Sequence, residues 1–296
     1  MQNSLAVRAQ AAWLGIMPGL FVLLWSTGFI GGKLVLFHAE PLTFLALRFG
    51  IVAVALLALS LATRAPWPSG WTQVGHIAIA GLLVHGVYLG GVFASLFHGV
   101  QAGVSALIVG IQPVLVAAVA GPILGEKVTR LQWLGLVLGL AGIGLVVWNK
   151  LELGLGTPLG MALSGVALLG IPIGTVYQKR LCAHMDLRSG NVVQFAAATL
   201  AMLVLAPWFE TMQIQWTGEF VFGLAWLCLV LSFGAISLLY VLIRRGAASK
   251  VASLFYMVPP STALLGYLLF HETLGPPSLV GMALTVLGVA LVNIRR

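Results

Sequence analysis

Residues 113–127 read PVLVAAVAGPILGEK and residues 259–272 read PPSTALLGYLLFHE. Both open on proline, continue through small and apolar residues, and reach a glutamate at the same distance, since 126 − 113 and 272 − 259 both equal 13. The offset between them, 272 − 126 = 146, extends outward in both directions. It pairs Lys33 with Lys179, His38 with His184, Phe49 with Phe195, Gly135 with Gly281 and Gly142 with Gly288. One offset that holds from end to end divides the chain into two similar halves, 1–150 and 151–296.

The apolar character of these stretches is general. Of 296 residues, 60% are hydrophobic and 7% charged, where a soluble domain carries about a quarter charged. With a mean hydropathy of +1.07, the apolar side chains exceed what soluble cores can hide, so lipid has to solvate much of the surface. A β-barrel is excluded because apolar residues run continuously rather than alternating. The 36 glycines suit close helix packing in a membrane.

At about 20 residues per crossing, with breaks at polar or proline-marked positions, ten spans are expected. They are Trp13 to Phe37, Leu42 to Ala62, Gln73 to Phe97, Val100 to Leu124, Leu131 to Trp148, Leu159 to Lys179, Asn191 to Trp208, Phe220 to Ile243, Val251 to Phe270 and Leu279 to Ile294. The first resembles a signal peptide after Arg8, but no small-residue cleavage site closes it, so it reads as a retained span. The fold class is therefore an all-α polytopic membrane protein. Five spans per half is odd, so the second half enters from the opposite side as an inverted-topology repeat. Such repeats exchange conformations to expose one central site to either side in turn.

The formal charge of +8 follows the same layout. Arg8, Arg64, Lys127, Arg130, Lys179, Arg180, Arg188, Arg244, Arg245, Lys250, Arg295 and Arg296 fall on one side of the ten-span layout, and Lys33 and Lys150 on the other. The basic side is expected to be cytoplasmic, with both termini there. Glu152, Glu210 and Glu219 belong to the opposite side. The charge is topogenic, and nucleic acid is not an expected partner. Cys182 and Cys228 imply neither a disulfide frame nor a metal cluster.

At the level of motif, the chain resembles the drug/metabolite transporter superfamily, and within it the EamA-type permeases. The resemblance covers essentially the whole length. It rests on residues 25–33 (WSTGFIGGK), 41–49 (PLTFLALRF), 103–107 (GVSAL) leading to Gln112 and Pro113, and 125–127 (GEK), answered by 252–254 (ASL), Pro259, His271 and Glu272. It implies a multi-pass inner-membrane permease of two five-helix repeats, in a family that includes exporters of amino acids, other metabolites and drugs.

Candidate transport-path residues come from the chemistry of burial in lipid. Pro113 and Pro259 free backbone carbonyls that lipid cannot satisfy, so the fourth and ninth helices should face protein or water. Helical spacing collects Gln101, Ser105, Ile108 and Gln112 on one face, and Ser249, Ser253, Tyr256 and Pro260 on another. Gln112, Ser253 and Tyr256 are expected at a central site, the alternative being interhelical hydrogen bonding. His85 lies mid-span with Tyr88 near it on the same face, as a candidate for a proton-sensitive step or as a satisfied core histidine. Arg48 lies about 10 Å inside the second span. It binds an anionic substrate group, pairs internally or snorkels outward. Trp25 offers an aromatic wall or ordinary packing. Glu126 and Glu272 are gate candidates at the ends of the fourth and ninth spans, or else solvated interfacial carboxylates.

These features favour a secondary transporter of small amphipathic metabolites. There is no Walker sequence and no implied ATPase subunit. All 7 acidic residues lie at span ends or in loops, which argues against an intramembrane enzyme. A passive channel and a flippase of lipid-linked substrates remain alternatives. No cofactor or metal is expected, and the oligomeric state is open.

Overall fold

A computed structural model describes residues 2–151, 156–270 and 274–294. The chain forms α1 (Gln2–Leu36), α2 (Pro41–Ala62), α3 (Trp71–Phe97), α4 (Ala102–Val109 and Gln112–Leu124), α5 (Arg130–Leu151), α6 (Pro158–Leu181), α7 (Leu187–Phe209), α8 (Gly218–Arg245), α9 and α10 (Pro276–Asn293). Helix α9 is composite: Ala248–Ser253, a 3₁₀ turn over Leu254–Met257, then Val258–Phe270. Local sequence sets these boundaries. Pro41 and Pro158 sit in first turns, where no N–H partner is lost. The Thr157 and Thr217 hydroxyls accept from Gly160 N and Phe220 N. Gly125, at φ 70°, ends α4 in the left-handed conformation that glycine adopts without strain.

Among the described residues, eight helices are long and apolar enough to cross a membrane, against ten expected. The other two expected spans fall on α1, a helix of 35 residues, and on α9, and in each some side chains lie outside the described residues. Helix α9 changes to 3₁₀ winding over Leu254–Met257, just ahead of Pro259 and Pro260, whose missing N–H groups interrupt the α-helical bonding there. Two further irregularities were not legible in the sequence. Within α3, Leu82–Leu89 is π-helical, and within α8 so is Leu227–Ala235. These wide turns sit at equivalent places in the two halves, since 82 + 146 = 228.

Packing follows the internal repeat. Helix α2 packs on its own counterpart α7, and α5 on its counterpart α10. The remaining partners are exchanged: α1 packs on α8 and α9, while α6 packs on α3 and α4. The α5–α10 seam is closed by glycine. A Cβ on Gly135 would fall 2.6 Å from Gly288 O, and one on Gly281 2.5 Å from Gly142 O. At the non-basic end, α2 and α7 are tied reciprocally. Glu210 accepts from Leu42 N (2.6 Å), Thr43 N (2.7 Å) and Thr43 Oγ1 (2.7 Å), while Glu40 accepts from Thr211 N and Oγ1, both at 2.7 Å.

The surface is the inverse of a soluble protein's. Val54, Leu200 and Leu229 are each about two-thirds exposed, whereas Arg48, His85 and Gln112 are buried. This is the distribution lipid imposes. Alternate loops gather at the two ends. At one, Ser189 Oγ donates to Pro66 O, Lys179 pairs with Glu126 and Arg244 donates to Met185 O. At the other, Gln215 N donates to His38 O, and Thr157 Oγ1 donates to His98 O. Glu152, Arg295 and Arg296 lie outside the described residues, as do the side chains of Arg8, Lys33 and Lys150.

One turn at the basic end carries a pH-dependent contribution. Asp186 caps α7, accepting from Arg188 N at 2.9 Å and Ser189 N at 3.4 Å, and its carboxylate also pairs with the Arg188 side chain at 2.9 Å. The Arg188 hydrogen bond, helped by the two backbone N–H groups, holds the Asp186 carboxyl below its ordinary range. A depressed carboxyl stabilises the fold above its unfolded value, near pH 4, and loses that contribution as pH falls through the folded value. Asp186→Asn, which keeps the cap acceptor and loses the charge, is therefore expected to lower stability slightly at neutral pH and to flatten the acid limb of the thermal stability profile below about pH 4. A variant whose stability falls with acid as steeply as the parent's would remove Asp186 from this role.

Candidate functional site

Two small cavities meet inside the bundle. The first is bounded by α1, α2, α3 and α8, with Trp25, Arg48, Tyr88, Val92 and Phe93 among its walls. The second is bounded by α1, α3, α4 and α9 and includes Trp25, Tyr88, Ser105, Gln112, Phe255 and Pro259. Trp25 and Tyr88 belong to both. Their rings stack at 6.4 Å between centroids and 23° between planes, and Phe255 meets Trp25 edge-on at 4.9 Å. An aromatic partition thus divides an otherwise continuous interior. The room left for the centres of water-sized occupants is about 40 Å³ in the first cavity and about 30 Å³ in the second. One water needs roughly 10–15 Å³ by this measure, so each holds a few waters and a solute requires the walls to part.

The polar groups on these walls are incompletely satisfied. Arg48, 1% exposed, directs Nε and Nη2 to Ser232 Oγ at 3.2 and 3.1 Å. Its Nη1 has no partner, and neither does the amide nitrogen or oxygen of buried Gln112. Buried polar groups are nearly always hydrogen-bonded, so unmatched ones on a cavity wall mark where a ligand or water docks. Ser105, by contrast, is tied into a chain in which Ser164 Oγ donates to it at 3.1 Å and meets Ser95 Oγ at 2.6 Å. Pro113 and Pro259 both lie in the first turn after a break, at Gly110–Ile111 in α4 and at the 3₁₀ turn in α9.

Other expected site residues are placed elsewhere. His85 lines neither cavity. Its ring stacks on Phe195 at 4.2 Å and lies 5.7 Å from Phe49, and these two phenylalanines are repeat counterparts. Both its nitrogens lack partners. Tyr256 is fully buried in the α5–α10 seam with Leu136, Ile143 and Val292, against Gly139, and its neighbour Phe255 takes the wall position. Its hydroxyl also lacks a partner. Ser253 is satisfied, donating to Lys250 O at 2.7 Å and accepting from Asn293 Nδ2 at 3.1 Å. Ser232, Phe93 and Phe255 went unnoticed in the sequence. The repeat offset gave no signal for Ser232, whose equivalent is Gly86.

At the basic end, Glu126 gathers several contacts. Its carboxylate accepts from Lys179 Nζ at 2.7 Å and Ala248 N at 2.8 Å, with Ser249 N and Oγ at 3.4 and 3.3 Å. Lys179 also donates to Gly246 O at 2.6 Å. One carboxylate thus joins the end of α4 to the end of α6 and the first turn of α9. Glu272 lies outside the described residues. No three His, Cys, Asp or Glu side chains gather as a metal site among the described residues.

Comparison with known proteins agrees with this architecture. A solved structure superimposes with a TM-score of 0.79 over 94% of this chain and 95% of that one, at 20% identity, a likeness of fold. The uncharacterized transporter YvbV of Bacillus subtilis is 26% identical over 94% of this chain and 90% of its own length. The uncharacterized inner membrane transporter YedA of Escherichia coli K12 is 25% identical over 95% of this chain and 91% of its own. A probable terminal-alkyne amino-acid exporter of Streptantibioticus cattleyicolor is 26% identical over 97% and 94%. The profile of the EamA-like transporter family matches twice, over residues 13–148 and 158–294, and the chain belongs to that family of membrane transporters.

Proposed function

We infer that this transporter is a secondary carrier of small amphipathic metabolites, amino acids or related compounds, which it exports across the inner membrane. In this reading it has ten spans in two inverted repeats, 1–150 and 151–296, with both termini in the cytoplasm. A central site between the repeats is exposed to each side in turn. The observation that carries the reading is the pair of cavities divided by Trp25 and Tyr88, with unmatched polar groups of Arg48 and Gln112 on their walls. The exchanged packing of equivalent helices supports the inverted arrangement. A carrier offers its solute a few specific contacts and otherwise apolar walls. The likeness to a probable amino-acid exporter supports the substrate class and direction.

The test is counterflow in proteoliposomes loaded with unlabelled amino acids and exposed to the labelled forms. A carrier accumulates label transiently, whereas a passive channel equilibrates without overshoot. Gln112→Ala is expected to weaken substrate affinity five- to tenfold, about one hydrogen bond's worth, with folding checked by size-exclusion chromatography. Unchanged affinity in a well-folded variant would remove Gln112 from the path, and absence of overshoot with every solute tried would remove the carrier reading.

A further inference from the structure

The guanidinium of Arg48 is a permanent cation that the fold has taken out of water without supplying an anion. Among the described residues the ion pairs are His38–Glu219, Lys179–Glu126 and Arg188–Asp186, and none reaches it. Its protein partner is the neutral hydroxyl of Ser232, which occupies Nε and Nη2 and leaves Nη1 without a partner in a residue that lines the first cavity. An isolated charge away from water is costly unless something pairs with it. The equivalent position in the second half makes the contrast plain. There Gln194 is satisfied: its Nε2 donates to Gln178 Oε1 at 2.8 Å, and Tyr240 donates to its Oε1 at 2.5 Å. The chain therefore closes a neutral network at one of two related positions and leaves an open cation at the other.

We propose that the Arg48 cavity is a carboxylate seat, and that the substrates are small organic acids with apolar or aromatic bodies for which an amino group is not required. This rests on the reading of the cavities as a solute path. The remaining walls, Trp25, Tyr88, Val92, Phe93 and Leu96, are apolar or aromatic, which suits a hydrocarbon body. No Asp or Glu among the described residues lines either cavity, so an ammonium group would find ring faces and the neutral oxygens of Ser105 and Gln112, and its contribution is small beside that of the carboxylate. A phosphate ester, with two charges, would face one cation among the described residues. The cavity runs from Trp25 and Tyr88, about three turns inside α1 and α3, to Gly32 and Leu96 near their ends, towards the non-basic end.

Purified protein in lipid nanodiscs would be titrated with labelled 3-phenylpropionate and competed with phenylalanine and phenethylamine, which share the ring and differ in which charged group they carry. Phenylalanine should compete within about tenfold of 3-phenylpropionate, while phenethylamine, lacking the anion, should be weaker by about 100-fold. Arg48→Gln should lose 3-phenylpropionate binding by a similar factor, and Arg48→Lys should recover part of it. The ligand series on the unaltered protein decides the matter even if Arg48→Gln fails to fold. Phenethylamine competing as well as 3-phenylpropionate overturns the proposal, as does full binding by a folded Arg48→Gln. A protein that shows counterflow of other solutes while ignoring both carboxylates overturns the carboxylate seat and leaves transport standing. Carboxylate binding without counterflow of any solute leaves the seat and removes the carrier.

Discussion

Gly288→Ala should destabilise the protein by about 3 kcal/mol, an effect at the top of the range for overpacking. The added Cβ would lie 2.5 Å from Gly135 O, 2.6 Å from Gly139 N and 2.9 Å from Gly139 Cα. All three are backbone atoms of the facing helix, so no side chain can rotate aside, and α5 and α10 have to separate along their length. Separation also loosens Tyr256, whose ring packs against Gly139. Gly144→Ala in the same α5 is the control. A Cβ there meets nothing within 4 Å, and alanine's helix propensity should make the change neutral or slightly stabilising. Thermal unfolding of the two variants in detergent is the measurement, and equal midpoints would remove close contact as the reason for these glycines.

The second large effect is expected at Glu126. Its carboxylate is 13% exposed and holds a lysine and a helix N-terminus together. Glu126→Gln keeps an acceptor but loses the charge that strengthens both contacts. Losing about 2 kcal/mol of charge-assisted bonding from the closed state shifts the closed-to-open ratio at the basic end roughly thirtyfold. The readout is maleimide labelling of a cysteine placed at Ala248 beside the closure, which should react faster in the Glu126→Gln background. The native Cys182 thiol contributes little background, since burial, partly offset by Arg244, pushes it up to about 11 and labelling needs the thiolate. Equal labelling rates in the two backgrounds would show that Glu126 does not hold this end shut.

Much of this was legible from residue type. Pro113 and Pro259 announced the two broken helices, and the 146-residue offset announced which helices correspond. Where the reading failed in α9, the cause was the neighbour that the polar face meets, which residue type does not give. Placing Ser249, Ser253, Tyr256 and Pro260 on one face takes about 100° per residue throughout. In α9 the 3₁₀ turn at Leu254–Met257 advances by about 120° per residue. Three such steps bring Tyr256 over Ser253, and that shared face meets α10 at Asn293 and Val292, so the wall position falls to Phe255. The π-helical stretches of α3 and α8 were equally silent, since a backbone bonding pattern has no residue signature of its own. Ser232 illustrates a third limit, because a partner 184 positions away from Arg48 is found only through the fold.

The reciprocal strap of Glu40 and Glu210, together with the glycine seam of α5 and α10, has a mechanical consequence. Each of these tight pairs takes one helix from either half of the chain. The unit that was duplicated is therefore not the unit that stays rigid. Swinging one set of five helices as a block against the other would tear both seams at once, so any change of access has to pivot around them, carried by helices less firmly sewn. The same geometry bears on assembly. A ribosome that has finished only residues 1–150 has made α2 and α5 without the faces they are shaped to meet, and neither half has a complete interior until the other is inserted beside it.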